Sequence, residues 1–176
     1  MQSIATILLQ TAIKRFTVYK ELGDKSFAQL QDADFYFLPN EANNSIAVII
    51  RHMSGNMLSR WTNFLTEDGE KDWRNRDAEF ANITATRERL LDQWVLGWNC
   101  LFEALNALKE EDLLKIIYIR SEGQSVIDAI QRQLAHYAYH VGQIVYLARI
   151  ATDKEWQSLS ISKGQSALYN QEMKHK

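Results

Sequence analysis

The sequence predicts an all-α protein, a four-helix bundle with long crossover connections. Two observations lead there. One proline and seven glycines in 176 residues leave few helix breakers. Four separate stretches also carry apolar residues at the three-to-four-residue spacing of an amphipathic helix, and four such helices make a bundle.

The first helix is read over residues 3–22, with Ile4, Ile7, Leu8, Ala12, Ile13 and Phe16 inward. Gly23 supplies its stop, since glycine readily takes the left-handed conformation past a helix end. Residues 24–44 connect, with a helical turn at 26–31 and an extended, packed-down stretch Phe35-Tyr36-Phe37-Leu38 before Pro39. A second helix starts at Asn44 or Ser45, both good N-caps. It carries Ile46, Ile49, Ile50, Met53, Met57, Trp61 and Phe64 and ends near Leu65. Residues 66–82 are polar and read as a long surface loop, a length often tied to function.

A third helix spans residues 84–107, with Leu90, Leu91, Trp94, Trp98, Leu101, Phe102 and Leu105 inward. Residues 113–120 are β-branched and aromatic but too short for another bundle helix, so a short strand or extended segment is expected. The fourth helix begins near Ser125 and reaches about Ala151. The polar tail, residues 152–176, docks in part through Trp156, Leu159, Ile161 and Tyr169. The expectation is one domain over residues 1–176.

Bulk composition excludes several functions. Hydrophobic residues at 46% and charged residues at 24% are ordinary for a globular chain. A net charge of −2 gives no positive field to draw nucleic acid. The single cysteine, Cys100, excludes an internal disulfide framework and suits a reducing compartment. The start Met1-Gln2-Ser3-Ile4-Ala5 lacks a basic secretory n-region, and no apolar run has membrane-spanning length. A cytoplasmic protein without membrane or nucleic-acid partners is therefore expected.

Chemistry concentrates in the histidines. His136 and His140 stand four apart in the fourth helix, so their imidazoles lie one above the other on one face. At ~100° per residue they fall beside, not within, the apolar stripe of Ile130, Leu134, Val141 and Ala148. His52 lies similarly off the stripe of the second helix, near Ser45, Asn56 and Ser59. Neutral imidazoles suit zinc, nickel, copper or iron(II), and three ligands leave coordination positions open. No Glu-x-x-His pair accompanies them, which disfavours a di-iron carboxylate site, and His-Glu-x-x-His is absent. Helical histidines also occur simply as surface or satisfied core residues, so spacing alone leaves both readings open. His175 reads as solvated.

Other residues have bland and functional readings side by side. Arg74 and Arg76 beside Trp73, with Arg60, could fork onto an anionic group; ion pairing with Asp72, Asp77, Glu67 and Asp68 across a solvated loop is the preferred reading. Asn56 and Gln143 could orient metal ligands. Tyr137 and Tyr139 split between core and rim, Trp94 and Trp98 anchor a core or dimer interface, and Cys100 reads as a buried inert thiol.

The stretches from Asn44 to Met57 (Asn-Ser-Ile-Ala-Val-Ile-Ile-Arg-His-Met-Ser-Gly-Asn-Met) and from Leu134 to Ile144 (Leu-Ala-His-Tyr-Ala-Tyr-His-Val-Gly-Gln-Ile) resemble the DinB-like superfamily. With the loop Trp61 to Asp77, they resemble more narrowly an uncharacterised bacterial branch typified by Firmicutes proteins. The resemblance covers nearly the whole chain. It implies a four-helix bundle, frequently a homodimer, with a divalent metal held by one histidine of the second helix and a His-x3-His pair of the fourth. Those positions are His52, His136 and His140, with zinc or nickel as the metal. It also implies a metal-dependent enzyme: a thiol-dependent S-transferase using a low-molecular-weight thiol cosubstrate, or a metal-assisted hydrolase. The alternative is a non-catalytic metal-binding or dimeric interaction module.

Overall fold

The computed structural model describes residues 2–81 and 84–174; the expectation for His175 lies outside them. Among the described residues, four long helices are joined by short elements: α1 (Ile4–Phe27), α2 (Ile46–Trp61), the single-turn α3 (Arg76–Glu79), α4 (Arg87–Ala107), strands β1 (Ile116–Ile119) and β2 (Glu122–Ser125), α5 (Val126–Thr152) and α6 (Ser166–Met173). The protein is thus an all-α bundle with a small hairpin. None of these helices is long and apolar enough to cross a membrane.

Helix starts follow side-chain chemistry. Ser3, Ser45, Thr86 and Ser125 each precede a long helix and accept a hydrogen bond from the backbone N–H three residues on, satisfying a donor the helix leaves free. Around the bundle α1 packs on α5, α5 on α2, α2 on α4 and α4 on α1. The links α1–α2 and α4–α5 therefore cross the bundle diagonally. Between the helices lies one apolar core with Phe16, Trp94, Trp98, Tyr137, Met53 and Met57 fully buried.

Several expectations need correction. Gly23 does not end α1, which runs on to Phe27. A side chain at Gly23 would collide with the Trp94 indole, so the glycine serves close packing. Ile4 and Ile7 are 85% and 50% exposed, because burial of α1 begins only at Ala12. The helical turn expected at 26–31 is displaced onto a 3-10 turn at Asp32–Tyr36, which takes in Phe35 and Tyr36. α2 stops at Trp61, and Asn63 turns the chain with φ of 50°.

The segment expected as a lone strand is half of an antiparallel hairpin pairing Ile116 with Ser125 and Ile119 with Glu122. Its two-residue turn puts both Arg120 (φ 56°) and Ser121 (φ 62°) in the left-handed region, normally the place of Asn-Gly. Asp68 holds it there: its carboxylate accepts from the N–H of Arg120 at 2.8 Å and of Ser121 at 2.7 Å. In the tail, Trp156 is half-buried against the core, and Gln157 exchanges hydrogen bonds with Gln29. Ile161 and Tyr169 stay exposed, and α6 buries nothing.

Candidate metal centre

α2 and α5 run in opposite directions, with Ile49 near Leu147 at one end and Trp61 bonded to Tyr137 further along. That arrangement brings the three helical histidines together. Ring centroids lie 4.6 Å apart for His136 and His140, 4.9 Å for His52 and His140, and 5.5 Å for His52 and His136. One ring nitrogen of each lies within 4.8 Å of the others, a grouping that could hold a metal ion. His52 and His140 are each 5% exposed.

The backs of two rings are fixed. His52 Nδ1 is 2.9 Å from Glu79 Oε2; an ionised carboxylate only accepts, so Nδ1 donates to it and Nε2 is the nitrogen left for a metal. His140 Nδ1 is 2.9 Å from Gln143 Oε1, which sets the same tautomer. The Nε2 atoms of His140 and His136 face each other at 3.1 Å. His136 Nδ1 is buried without a partner among the described residues. Two imidazole nitrogens facing each other at 3.1 Å, with a ring nitrogen of His52 within 4.8 Å, are the donors a divalent transition metal would take. The donor set fits a divalent transition metal.

Electrostatics agree with that fit. Burial, then the neighbouring His140 and His52, push the His136 pKa down to about 3. Burial and His52 push His140 down to about 4, against the opposing Gln143 bond. Both rings are neutral at neutral pH, the state that binds a metal.

Glu79, which sequence reasoning missed, is the hub behind His52. Besides the imidazole it takes a two-pronged contact from Arg74, Nε to Oε1 at 2.8 Å and Nη2 to Oε2 at 2.9 Å. Burial opposes ionisation of Glu79, but the bonds from His52 and Arg74 outweigh it and hold its carboxyl below the usual range. Arg74 therefore pairs with none of Asp72, Asp77, Glu67 and Asp68. Its side chain is 2% exposed, and the supposed surface loop folds back on α2. The available signal was Gly55, a glycine inside α2 one turn after His52: a Cβ there would strike Glu79 Oε1.

Other candidates fall into place. Trp61 Nε1 donates to Tyr137 Oη (3.2 Å), which donates to Asn56 Oδ1 (3.0 Å). Asn56 thus supports the buried Tyr137, not a histidine, while Gln143 does orient His140. Tyr139 is 54% exposed at the rim. Arg76 lies over the Phe80 ring at 5.1 Å, and Phe80 packs on His52. Cys100 stands apart beside Thr62, half-buried, its thiol pKa raised chiefly by burial.

The histidines open onto a cavity of about 350 Å3. A hollow of about 460 Å3 across Phe80 is larger, but the clustered metal donors line the smaller one. No described residue of the tail lines it.

A crystal structure of a conserved protein from Enterococcus faecalis is similar, with a TM-score of 0.65 and 18% sequence identity over 88% of this chain and 100% of that one. At that identity the likeness concerns the fold alone. No curated protein matches the sequence. Residues 3–165 match the family model described as a protein of unknown function, DUF1572, and the chain belongs to that family.

Proposed function

We propose that the protein is a metal-dependent enzyme of the DinB-like type, with His52, His136 and His140 binding one divalent ion. The supporting observation is the clustering of the three rings, with Glu79 and Gln143 aiming the Nε2 lone pairs of His52 and His140 away from their helices' backs. When bound, zinc or nickel would act as a Lewis acid that lowers the pKa of a coordinated thiol or water. Three neutral imidazoles would hold such an ion without cancelling its charge and would leave it coordination positions for a small molecule. The chain's own residues do the rest. Arg74 and Glu79 hold His52, Gln143 holds His140, and Phe80 packs against the His52 ring. The reaction is transfer of a low-molecular-weight thiol to an electrophile, or a related metal-assisted hydrolysis. By the resemblance to the DinB-like superfamily the protein is a homodimer, which light scattering on the purified protein tests; its length and single cysteine favour one cytoplasmic domain.

The deciding experiment is metal content by elemental mass spectrometry on untagged protein, wild type beside His136→Ala. About one divalent ion per chain, lost in the variant, is the expected result. A wild type that takes up neither zinc nor nickel on reconstitution would remove the metal-dependent reading.

A further inference from the structure

The cavity beside the histidines is unusually rich in guanidinium groups. Arg60, Arg74, Arg76, Arg120 and Arg132 all line it. Two carboxylates serve them: Glu79 takes Arg74, while Glu70 is shared by Arg60 at 3.3 Å and Arg120 at 2.8 Å. Among the described residues, Arg132 makes no ion pair, and Arg76 has only its contact with the Phe80 ring. Like charges gathered around one hollow repel one another. An anion in the hollow relieves it.

Helix geometry orders the cavity. On α5, Arg132, His136 and His140 occupy successive turns of one face; on α2, His52, Asn56 and Arg60 do the same. Because the helices are antiparallel, the histidines sit at one end and Arg60 and Arg132 at the other. Four residues of helix rise ~6 Å, so Arg132 stands roughly one turn from His136 and two from His140. Gln133 adds an independent sign. It is 4% exposed, lines the same cavity, and its side-chain oxygen is buried without a hydrogen-bond partner among the described residues. A side-chain amide can turn over to present its N–H groups instead, the donors an oxyanion needs.

We propose that the arginine-lined end of this cavity is an anion-binding subsite, gripping a carboxylate or phosphate of a small molecule one to two helical turns from the histidines. Arg132 and Arg76 supply the free guanidinium forks, Gln133 the amide, and Arg60 and Arg120 the surrounding positive field. Calling that small molecule a substrate rests on the metal-dependent reading above; binding of the anion does not.

Calorimetric titration at fixed ionic strength tests this, with inorganic phosphate and malonate as probes of zinc-loaded and metal-free protein. The variants are an Arg76→Gln, Arg132→Gln pair, His136→Ala, and Arg89→Gln on the exposed face of α4 as a charge control. Both paired positions are exposed, and unfolding midpoints verify that the variants fold. The expected result is saturable binding of at least one probe to wild type and Arg89→Gln. The paired variant should bind it about tenfold or more weakly with zinc content unchanged. The preferred probe identifies the oxyanion. Absence of saturable binding to wild type, or equal binding by the paired variant, overturns the subsite. Binding that needs zinc but ignores the arginines also overturns it, and leaves the metal reading intact. Arginine-dependent binding in a protein that takes up no metal supports the subsite and sinks the metal reading.

Discussion

Gly55→Ala sets two calculable effects against each other. Alanine is favoured over glycine inside a helix by about 0.8–1.0 kcal/mol, so on propensity alone the variant should be more stable. The new Cβ, however, would overlap Glu79 Oε1 and lie 2.9 Å from its Cδ. The carboxylate is the end of a flexible side chain, but three hydrogen bonds of 2.8–2.9 Å fix it. Driving it out leaves the Arg74 guanidinium, 2% exposed, without its counter-charge. Breaking a buried pair in that way costs about 3–5 kcal/mol. The net expectation is a loss of about 2–4 kcal/mol in urea denaturation of the metal-free protein. His52 also loses its backing acceptor, so zinc affinity by chelator competition should fall about 10–100-fold. Gly142→Ala is the control: it too lies inside a helix, α5, but a Cβ there meets nothing within 4 Å. That variant should gain up to about 1 kcal/mol. A Gly55→Ala protein stabilised as much as Gly142→Ala, with unchanged zinc affinity, would show that Glu79 does not hold His52 in the way described.

Acid sensitivity follows from the buried imidazoles. With His136 near 3 and His140 near 4 when folded, against about 6.5 unfolded, the unfolded chain binds more protons between those values. Stability of the metal-free protein should therefore fall as pH drops from about 6.5 toward 4, by at most ~1.4 kcal/mol per unit per ring and less where water screens it. A His136→Gln, His140→Gln double variant should flatten that decline, and an equally steep profile would show that the rings are not buried neutral. Asp68→Ala removes the acceptor holding the Arg120-Ser121 turn and should cost about 1–3 kcal/mol. Ser121→Gly in that background should restore part of the loss, since glycine tolerates the left-handed region; a second change with no effect on the denaturation midpoint would count against turn strain. Gly23→Ala should lower the melting temperature through collision with Trp94, by an overpacking cost of about 1–3 kcal/mol, and a raised melting temperature would contradict the close packing described.

What was legible in the sequence depends on the range over which each feature is determined. The long helices declare themselves locally: Ser45 and Ser125 cap helices whose apolar spacing continues for several turns, and His52, His136 and His140 fall on predictable faces. α3 spans four residues, too few for any period to emerge, and β2 reads Glu-Gly-Gln-Ser without a β-branched residue. Its turn is held by Asp68, more than fifty residues earlier in the chain, instead of by Asn-Gly. Glu79 belongs to the same class. Nothing in Arg-Asp-Ala-Glu marks one acid as buried, because burial is decided when the loop closes over α2. A long-range contact does leave a trace on the element it meets, however. Gly55 weakens α2 for no local reason, and only the arriving carboxylate accounts for it. Such a glycine is not decisive alone, since Gly142, two residues after His140 in α5, meets nothing; Gly55, on the half-buried side of α2, is where the carboxylate arrives. Gly55 marks the point on α2 where the partner of His52 arrives, although Glu79 itself lies in the single-turn α3, too short for periodicity to read.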